Sequence, residues 1–103
     1  MMRSFLSEFH YTAGATYEIT HAESKKVLDI CCGDTDSRTN VIIYEAHHGQ
    51  NQRWSICING DGTVKIINPR SGKALDVDRG GKANTVAGTN VQIWADNGSN
   101  AQK

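Results

Sequence analysis

Hydrophobic and polar residues alternate along most of the chain with the two-residue period that is typical of β-strands. Tyr17 and Ile19 fall on one side of such a segment, and Trp54, Ile56 and Ile58 fall on one side of another. No segment carries the apolar stripe of an amphipathic helix. The alternation therefore predicts an all-β chain of short, half-buried strands. We place these strands near residues 16–22, 27–30, 40–45, 52–58, 63–68, 74–77 and 90–95.

The strand pattern occurs twice along the chain, which indicates a repeat architecture. Residues 16–30 align with residues 63–77 without a gap. After a short insertion, residues 39–44 align with residues 89–94. Between the units lies Asn59-Gly-Asp-Gly62, whose residues tolerate positive φ and predict a hairpin turn. The repeat predicts three regions, an N-terminal extension at 1–15, a first unit at 16–60 and a second unit at 61–103.

Each unit carries recurring motifs. The second unit contains Ile66-Ile-Asn-Pro-Arg-Ser-Gly-Lys-Ala-Leu-Asp-Val77 and Thr89-Asn-Val-Gln-Ile-Trp94. The first unit contains Val27-Leu-Asp-Ile30, Val41-Ile-Ile-Tyr44 and Asn51-Gln-Arg-Trp54. In their order and spacing these motifs resemble the ricin B-type lectin family, also known as carbohydrate-binding modules with Q-x-W repeats.

The resemblance implies a β-trefoil, in which three units of four strands form a six-stranded barrel capped by three hairpins. Two of the three units are recognisable here, and the second ends before the Trp that would match Trp54. We expect the barrel to be completed either by further sequence of a larger protein or by association of copies as a homo-oligomer. The family's disulfide would fall at Val27 with Ala46 and at Ala74 with Asp96, so that bond is absent.

The resemblance also implies one sugar site in each unit. A sugar needs an acceptor for its hydroxyls and a flat apolar platform for its C–H face, which a carboxylate and an aromatic ring supply. Carried over to this chain, the acceptors are Asp29 and Asp76, and the platforms are Tyr44 and Trp94. Further hydrogen-bonding groups are His47 and Asn51 in the first site, and Gln92 and Asn97 in the second.

The ligands that the resemblance implies are galactose, N-acetylgalactosamine or related sugars on glycans or glycoconjugates. Other roles stay open, because an Asp beside a turn can instead bond backbone amides. Trp54 and Tyr17 fall on the apolar side of their strands and are expected in the core, with Gln52 bonding backbone groups. Since β-trefoils also serve as growth factors and protease inhibitors, a non-catalytic protein-interaction module is the alternative function.

Charge and composition narrow the class of partner. The 11 Lys and Arg residues balance the 11 Asp and Glu residues, so the basic field that attracts nucleic acids is absent. No segment has the length and apolarity of a signal peptide or a membrane span, although the resemblance points to an extracellular protein. We expect no enzyme, metal site or cofactor, since no catalytic or ligating motif is present. Cys31, Cys32 and Cys57 lack C-x-x-C spacing and are expected to be free thiols.

Overall fold

The computed structural model describes residues 11–78 and 87–103, so residues 1–10 of the expected extension lie outside the described part. Single turns of 3-10 helix lie at Cys31–Gly33, Gln50–Gln52 and Asn100–Gln102, and the described ranges contain no α-helix. The all-β prediction is therefore confirmed. The strands are β1 (Val27–Ile30), β2 (Val41–Tyr44), β3 (Ser55–Ile58), β4 (Val64–Asn68), β5 (Lys73–Val77) and β6 (Val91–Ala95).

The strands form two antiparallel sheets. β1 pairs with β2, and β3, β4, β5 and β6 pair in chain order. A tight turn joins β3 to β4 at the predicted hairpin, where the Asp61 carboxylate accepts a hydrogen bond from the Thr63 backbone N–H at 3.0 Å. Gly62 has a φ of 89°, a backbone conformation that is unfavourable for residues with a Cβ, so glycine at this position favours the turn.

Residues 16–22 do not form the single strand that their alternation predicts. Tyr17 bridges with Trp54, whereas Thr20 bridges with Val27. The two ends of the segment therefore pair with different segments of the chain, and neither pairing extends into a ladder. The segment predicted at 52–58 likewise begins as a 3-10 turn, and its ladder starts only at Ser55.

Residues 38–40 lie antiparallel to β6 and connect the first sequence unit to the second. The Ile93 N–H donates to the Thr39 carbonyl at 3.0 Å, and the Arg38 N–H donates to the Ile93 carbonyl at 2.9 Å. Asn40 bridges with Gln92. Because residue numbers increase in opposite directions along two antiparallel strands, this register places Arg38 opposite Trp94.

The centre of the core consists of Ile30, Trp54 and Ile93, each at most 1% exposed. Trp54 also donates its indole N–H to the Leu28 carbonyl at 3.3 Å, so the core position predicted for Trp54 is confirmed. Tyr17 was expected in the core but is only half-buried, because its hydroxyl reaches outward and accepts the Thr12 N–H at 2.6 Å. Partly buried side chains pack around this centre, namely Ile19, Leu28, Val41, Ile66 and Leu75.

Several large apolar side chains are exposed at two places. Ile42, Ile43 and Tyr44 lie along β2, and Ile58 and Val64 are paired beside the β3–β4 turn. Ile58 is 65% exposed, the largest fraction among these five. Covering these side chains would remove apolar surface from water, so they are the part of the described surface that gains most from a partner.

Candidate functional site

The first predicted site lies on the β1–β2 pair. Asp29 is opposite Ile42, and Val27 is opposite Tyr44. Because alternate residues of a strand share a face, Asp29 and Tyr44 lie on the same face of this pair. Asp29 is 3% exposed and Tyr44 is 53% exposed, so the predicted acceptor is buried on the same strand face as an exposed aromatic residue.

Gln52 holds the Asp29 carboxylate from behind. Its amide nitrogen donates to Asp29 Oδ2 and to the Glu45 carbonyl, at 2.8 Å in each case. Its amide oxygen accepts the His47 backbone N–H at 2.9 Å. Gln52 is fully buried, so these bonds fix the orientation of the carboxylate and of the loop after β2.

His47 and Asn51 take different positions around Asp29. His47 Nδ1 accepts the Gly49 N–H at 3.1 Å, so the neutral ring carries its proton on Nε2, which lies 3.6 Å from Asp29 Oδ2. The same ring meets Tyr44 edge-on, with centroids 6.3 Å apart. Asn51 donates its amide to the Ile30 carbonyl at 3.0 Å and so anchors the end of β1. His47 therefore faces the space above Asp29, whereas the Asn51 amide nitrogen bonds the backbone.

The second predicted site repeats this arrangement on β5 and β6. Gln102 donates to Asp76 Oδ2 and to the Ala95 carbonyl, at 2.9 Å in each case, and accepts the Asn97 N–H at 3.0 Å. Asp76 is 5% exposed. Each contact of Gln102 has its counterpart at Gln52 in the first site. The two units thus build the same network of a buried Asp, a buried Gln and two backbone groups.

The two sites differ at the residue opposite the Asp. In the second site Gln92 lies opposite Asp76 and donates to Asp76 Oδ1 at 3.1 Å. Ile42 takes this place in the first site, and within residues 11–78 and 87–103 no group donates to Asp29 Oδ1. The first site therefore leaves one carboxylate oxygen open, whereas both oxygens of Asp76 already accept a hydrogen bond.

The two platforms also differ. Trp94 is half-buried, and the Arg38 guanidinium lies over its ring with Cζ 5.6 Å from the centroid. Asn97 is exposed, and its side-chain oxygen accepts the Ser99 N–H at 2.9 Å. Tyr44 carries no such cation among the residues that the structure describes.

Sequence reasoning missed three residues of these sites. Gln52 was assigned to backbone groups alone, and Gln102 was given no role, although their alignment in the repeat was a signal that both do the same work. The sequence around Arg38 did not predict its role, because the contact of Arg38 with Trp94 depends on a pairing between segments that are distant in sequence.

The described residues offer little for other chemistries. Within them, no group of three or more His, Cys, Asp or Glu side chains is arranged to hold a metal ion. No described helix has the length and apolarity needed to cross a membrane. The geometry provides two buried carboxylates, each on the same strand face as an aromatic ring.

Residues 6–94 match the family model described as Ricin-type beta-trefoil lectin domain-like. No curated protein matches the sequence. Among solved structures, the chain is similar to the designed three-fold symmetric protein ThreeFoil, with 36% identity and a TM-score of 0.78, over 84% of this chain and 60% of ThreeFoil.

Two natural proteins show the same likeness. The exo-beta-1,3-galactanase 1,3Gal43A from Clostridium thermocellum has 29% identity and a TM-score of 0.79, over 89% of this chain and 19% of that enzyme. The ricin B-like lectin of Macrolepiota procera, solved with lactose, has 25% identity and a TM-score of 0.68, over 85% of this chain and 58% of the lectin. The chain spans less than two thirds of the length of each of these three proteins.

The β-trefoil prediction is therefore confirmed, and the family match together with the lectin neighbour supports carbohydrate binding as the general function. The family match extends over most of both sequence units and includes Asp29, Tyr44, Asp76 and Trp94. The chain belongs to the ricin-type β-trefoil lectin domain-like family.

Proposed function

We propose that the chain binds glycans at two sites, Asp29 with Tyr44 and Asp76 with Trp94, and catalyses no reaction on them. The observation that carries this proposal is the duplicated network in which a buried Gln orients a buried Asp beside an aromatic ring. A network that served stability alone would not need an aromatic ring on the same face in both units. The pairing of acceptor and ring therefore favours a ligand with hydroxyls and a C–H face.

In the first site, Asp29 Oδ1 would accept a hydrogen bond from a sugar hydroxyl, because Gln52 occupies only Oδ2. The Nε2–H of His47 would donate to a neighbouring sugar oxygen. The exposed face of Tyr44 would carry the C–H side of the ring. A charge-assisted bond to a fixed carboxylate is stronger than a neutral bond, so Asp29 would dominate the polar part of binding.

In the second site, Asp76 would use its remaining lone pairs, since each carboxylate oxygen can accept more than one hydrogen bond. Gln92 would complete the acceptor by holding Asp76 Oδ1, and the Trp94 ring would stack on the sugar beside the Arg38 guanidinium. Asn97 would lie at the rim. Two modest sites on one chain favour multivalent glycans, because a second contact then forms at high effective concentration.

We propose galactose, N-acetylgalactosamine or related sugars as ligands. The solved neighbours include a lectin in complex with lactose and a β-1,3-galactanase, which supports β-galactosides as the first sugars to test. A hydrolytic role is disfavoured because glycosidases place two carboxylates about 5 to 10 Å apart at one bond, whereas each proposed site uses one Asp held by a Gln.

The test is retention on immobilised lactose. Asp29→Asn and Asp76→Asn keep the shape of each side chain and leave an oxygen for the Gln amide, so the fold should persist. We expect each single variant to weaken retention and the double variant to lose it, with the melting temperature lowered by only a few degrees. Asp36→Asn is the matched control, because Asp36 is exposed and its side chain makes no hydrogen bond within the described part of the chain. Unchanged retention in the folded double variant would refute sugar binding at these sites.

The second candidate function is a non-catalytic protein-interaction module. It is favoured by the exposed apolar side chains of β2 and of the β3–β4 turn. Retention on glycoproteins that survives both Asp→Asn changes but is lost in Ile43→Ser would support this reading. We also propose that these side chains become covered when the barrel is completed, by a further unit of a larger protein or by a second copy.

A further inference from the structure

We propose that the Asp76–Trp94 site prefers acidic sugars, with the Arg38 guanidinium as the group that binds the sugar carboxylate. This inference rests on the proposed glycan binding at that site and adds the chemical class of its ligand. It assigns no such preference to the first site.

The backbone fixes where Arg38 can reach. Arg38 lies opposite Trp94 in the pairing of residues 38–40 with β6, and its own N–H is held by the Ile93 carbonyl at 2.9 Å. Cross-strand neighbours project to the same face, which is also the face of Gln92 and Asp76. The guanidinium accordingly lies over the Trp94 ring, with Cζ 5.6 Å from its centroid, beside the proposed acceptor.

Among the residues that the structure describes, Arg38 has no carboxylate partner. Within residues 11–78 and 87–103, no Asp or Glu oxygen lies within 4.0 Å of its guanidinium, although Asp34 lines the same surface cleft. Lys65 and Lys103, by contrast, pair with carboxylates at 2.6 Å and 2.8 Å. A guanidinium presents its N–H groups as a planar fork that matches a carboxylate, so an acidic ligand would supply the missing partner.

Asp76 does not oppose this preference strongly. Its two oxygens accept hydrogen bonds from Gln92 and Gln102, and the residue is 5% exposed. The Asp76 carboxylate is therefore buried and hydrogen-bonded to amide groups, whereas the Arg38 side chain is exposed to solvent. A ligand carboxylate at the rim would meet the guanidinium first.

The position of Arg38 over the ring also discriminates against neutral sugars. A neutral sugar that stacks on Trp94 must share the ring with the guanidinium or displace it, and displacement loses a cation–π contact. An acidic sugar offers a charged hydrogen bond in exchange. We therefore expect an acidic sugar to bind about tenfold more tightly than its neutral parent, a ratio typical of one charge-assisted contact.

The experiment uses probes that differ only at C6, namely galactose against galacturonic acid and glucose against glucuronic acid. Binding is followed by tryptophan fluorescence in the Asp29→Asn background, which removes the first site. Trp94 is half-buried and Trp54 is fully buried, so Trp94→Phe identifies the responding residue. We expect at least one acid to bind about tenfold more tightly than its parent in 20 mM salt, with the advantage reduced in 500 mM salt because screening weakens exposed charge pairs.

Arg38→Gln should abolish the advantage of the acid, and Arg38→Lys should restore part of it. Thermal melting of both variants checks that residues 38–40 still pair with β6. Equal binding of acid and parent in the unsubstituted site, or an advantage that survives Arg38→Gln, overturns the inference while leaving glycan binding intact. Loss of all binding of sugars and of lactose retention would instead overturn the proposed function.

Discussion

Gln52 offers the sharpest test of how the first site is held together, because one side chain makes all three contacts. It donates to Asp29 Oδ2 and to the Glu45 carbonyl at 2.8 Å, and it accepts the His47 N–H at 2.9 Å. Gln52→Ala removes these three bonds and leaves the buried Asp29 carboxylate without its donor. The variant should therefore lose stability and sugar affinity together.

The magnitude follows from the three contacts. Two neutral hydrogen bonds contribute about 1 kcal/mol each, and a bond to a charged group contributes about 1.5 to 3 kcal/mol. Entry of water into the vacated space recovers part of this sum, so we expect the free energy of unfolding to fall by about 3 kcal/mol. For a domain of this size each kcal/mol lowers the melting temperature by about 4 to 8 °C, so a fall of at least about 12 °C is expected.

The assay is thermal and urea unfolding, with retention on lactose measured below the transition. Gln50→Ala is the matched control, because Gln50 lies in the same 3-10 turn but is exposed. Among the described residues, Gln50 accepts hydrogen bonds with its backbone carbonyl only. The control should change the free energy of unfolding by less than about 0.5 kcal/mol. If Gln52→Ala unfolds like Gln50→Ala, or keeps full retention on lactose, the Gln does not support the carboxylate and the reasoning fails.

Three further outcomes follow from other parts of the chain. The Cys32 thiol should react with iodoacetamide faster than the Cys31 thiol, as followed by peptide mass mapping. The reason is that the hydrogen bond to Cys32 raises the pKa of Cys31 and so lowers the thiolate fraction of Cys31. Equal rates of alkylation would contradict this. The hydrogen bond from Lys103 lowers the pKa of Asp61, so the pairing of these two residues stabilises the fold above the ordinary carboxyl pKa of 3.8. This stabilisation is lost as the pH falls below 3.8. Asp61→Asn should remove this part of the acid dependence of the melting temperature, and an unchanged pH profile would exclude the pairing as its source. Ile58→Lys should shift light scattering toward monomer if copies complete the barrel, whereas an unaltered oligomer would place the interface elsewhere.

The sequence predicts much of this fold because short antiparallel strands leave a local signature. Alternation located all six strands of the described residues, and the turn at Gly62 was predicted from residues that accept positive φ. The strand at 16–22 was wrong as a continuous element, since alternation reports which side of a segment is apolar and not which strands it will pair with. Pairing partners are set by the tertiary fold.

In the candidate sites, too, local sequence predicts some contacts, and the tertiary fold determines the others. Asp29 and Asp76 could be proposed from their motifs, because the strand that carries each one also fixes the face on which it lies. The contact of Arg38 with Trp94 could not, since it joins residues from different repeats. The Asn51 amide nitrogen also bonds the backbone at Ile30, a choice that composition and spacing do not reveal.

The sheet of β3 to β6 crosses the boundary between the two sequence repeats. β3 lies in the first unit and pairs with β4 of the second, and residues 38–40 pair with β6. The two sequence repeats therefore share one sheet. Amide hydrogens in both repeats should exchange with one common protection limit, and a chain cut within 59–62 should keep its halves associated. The two repeated segments are therefore expected to unfold as one cooperative structure.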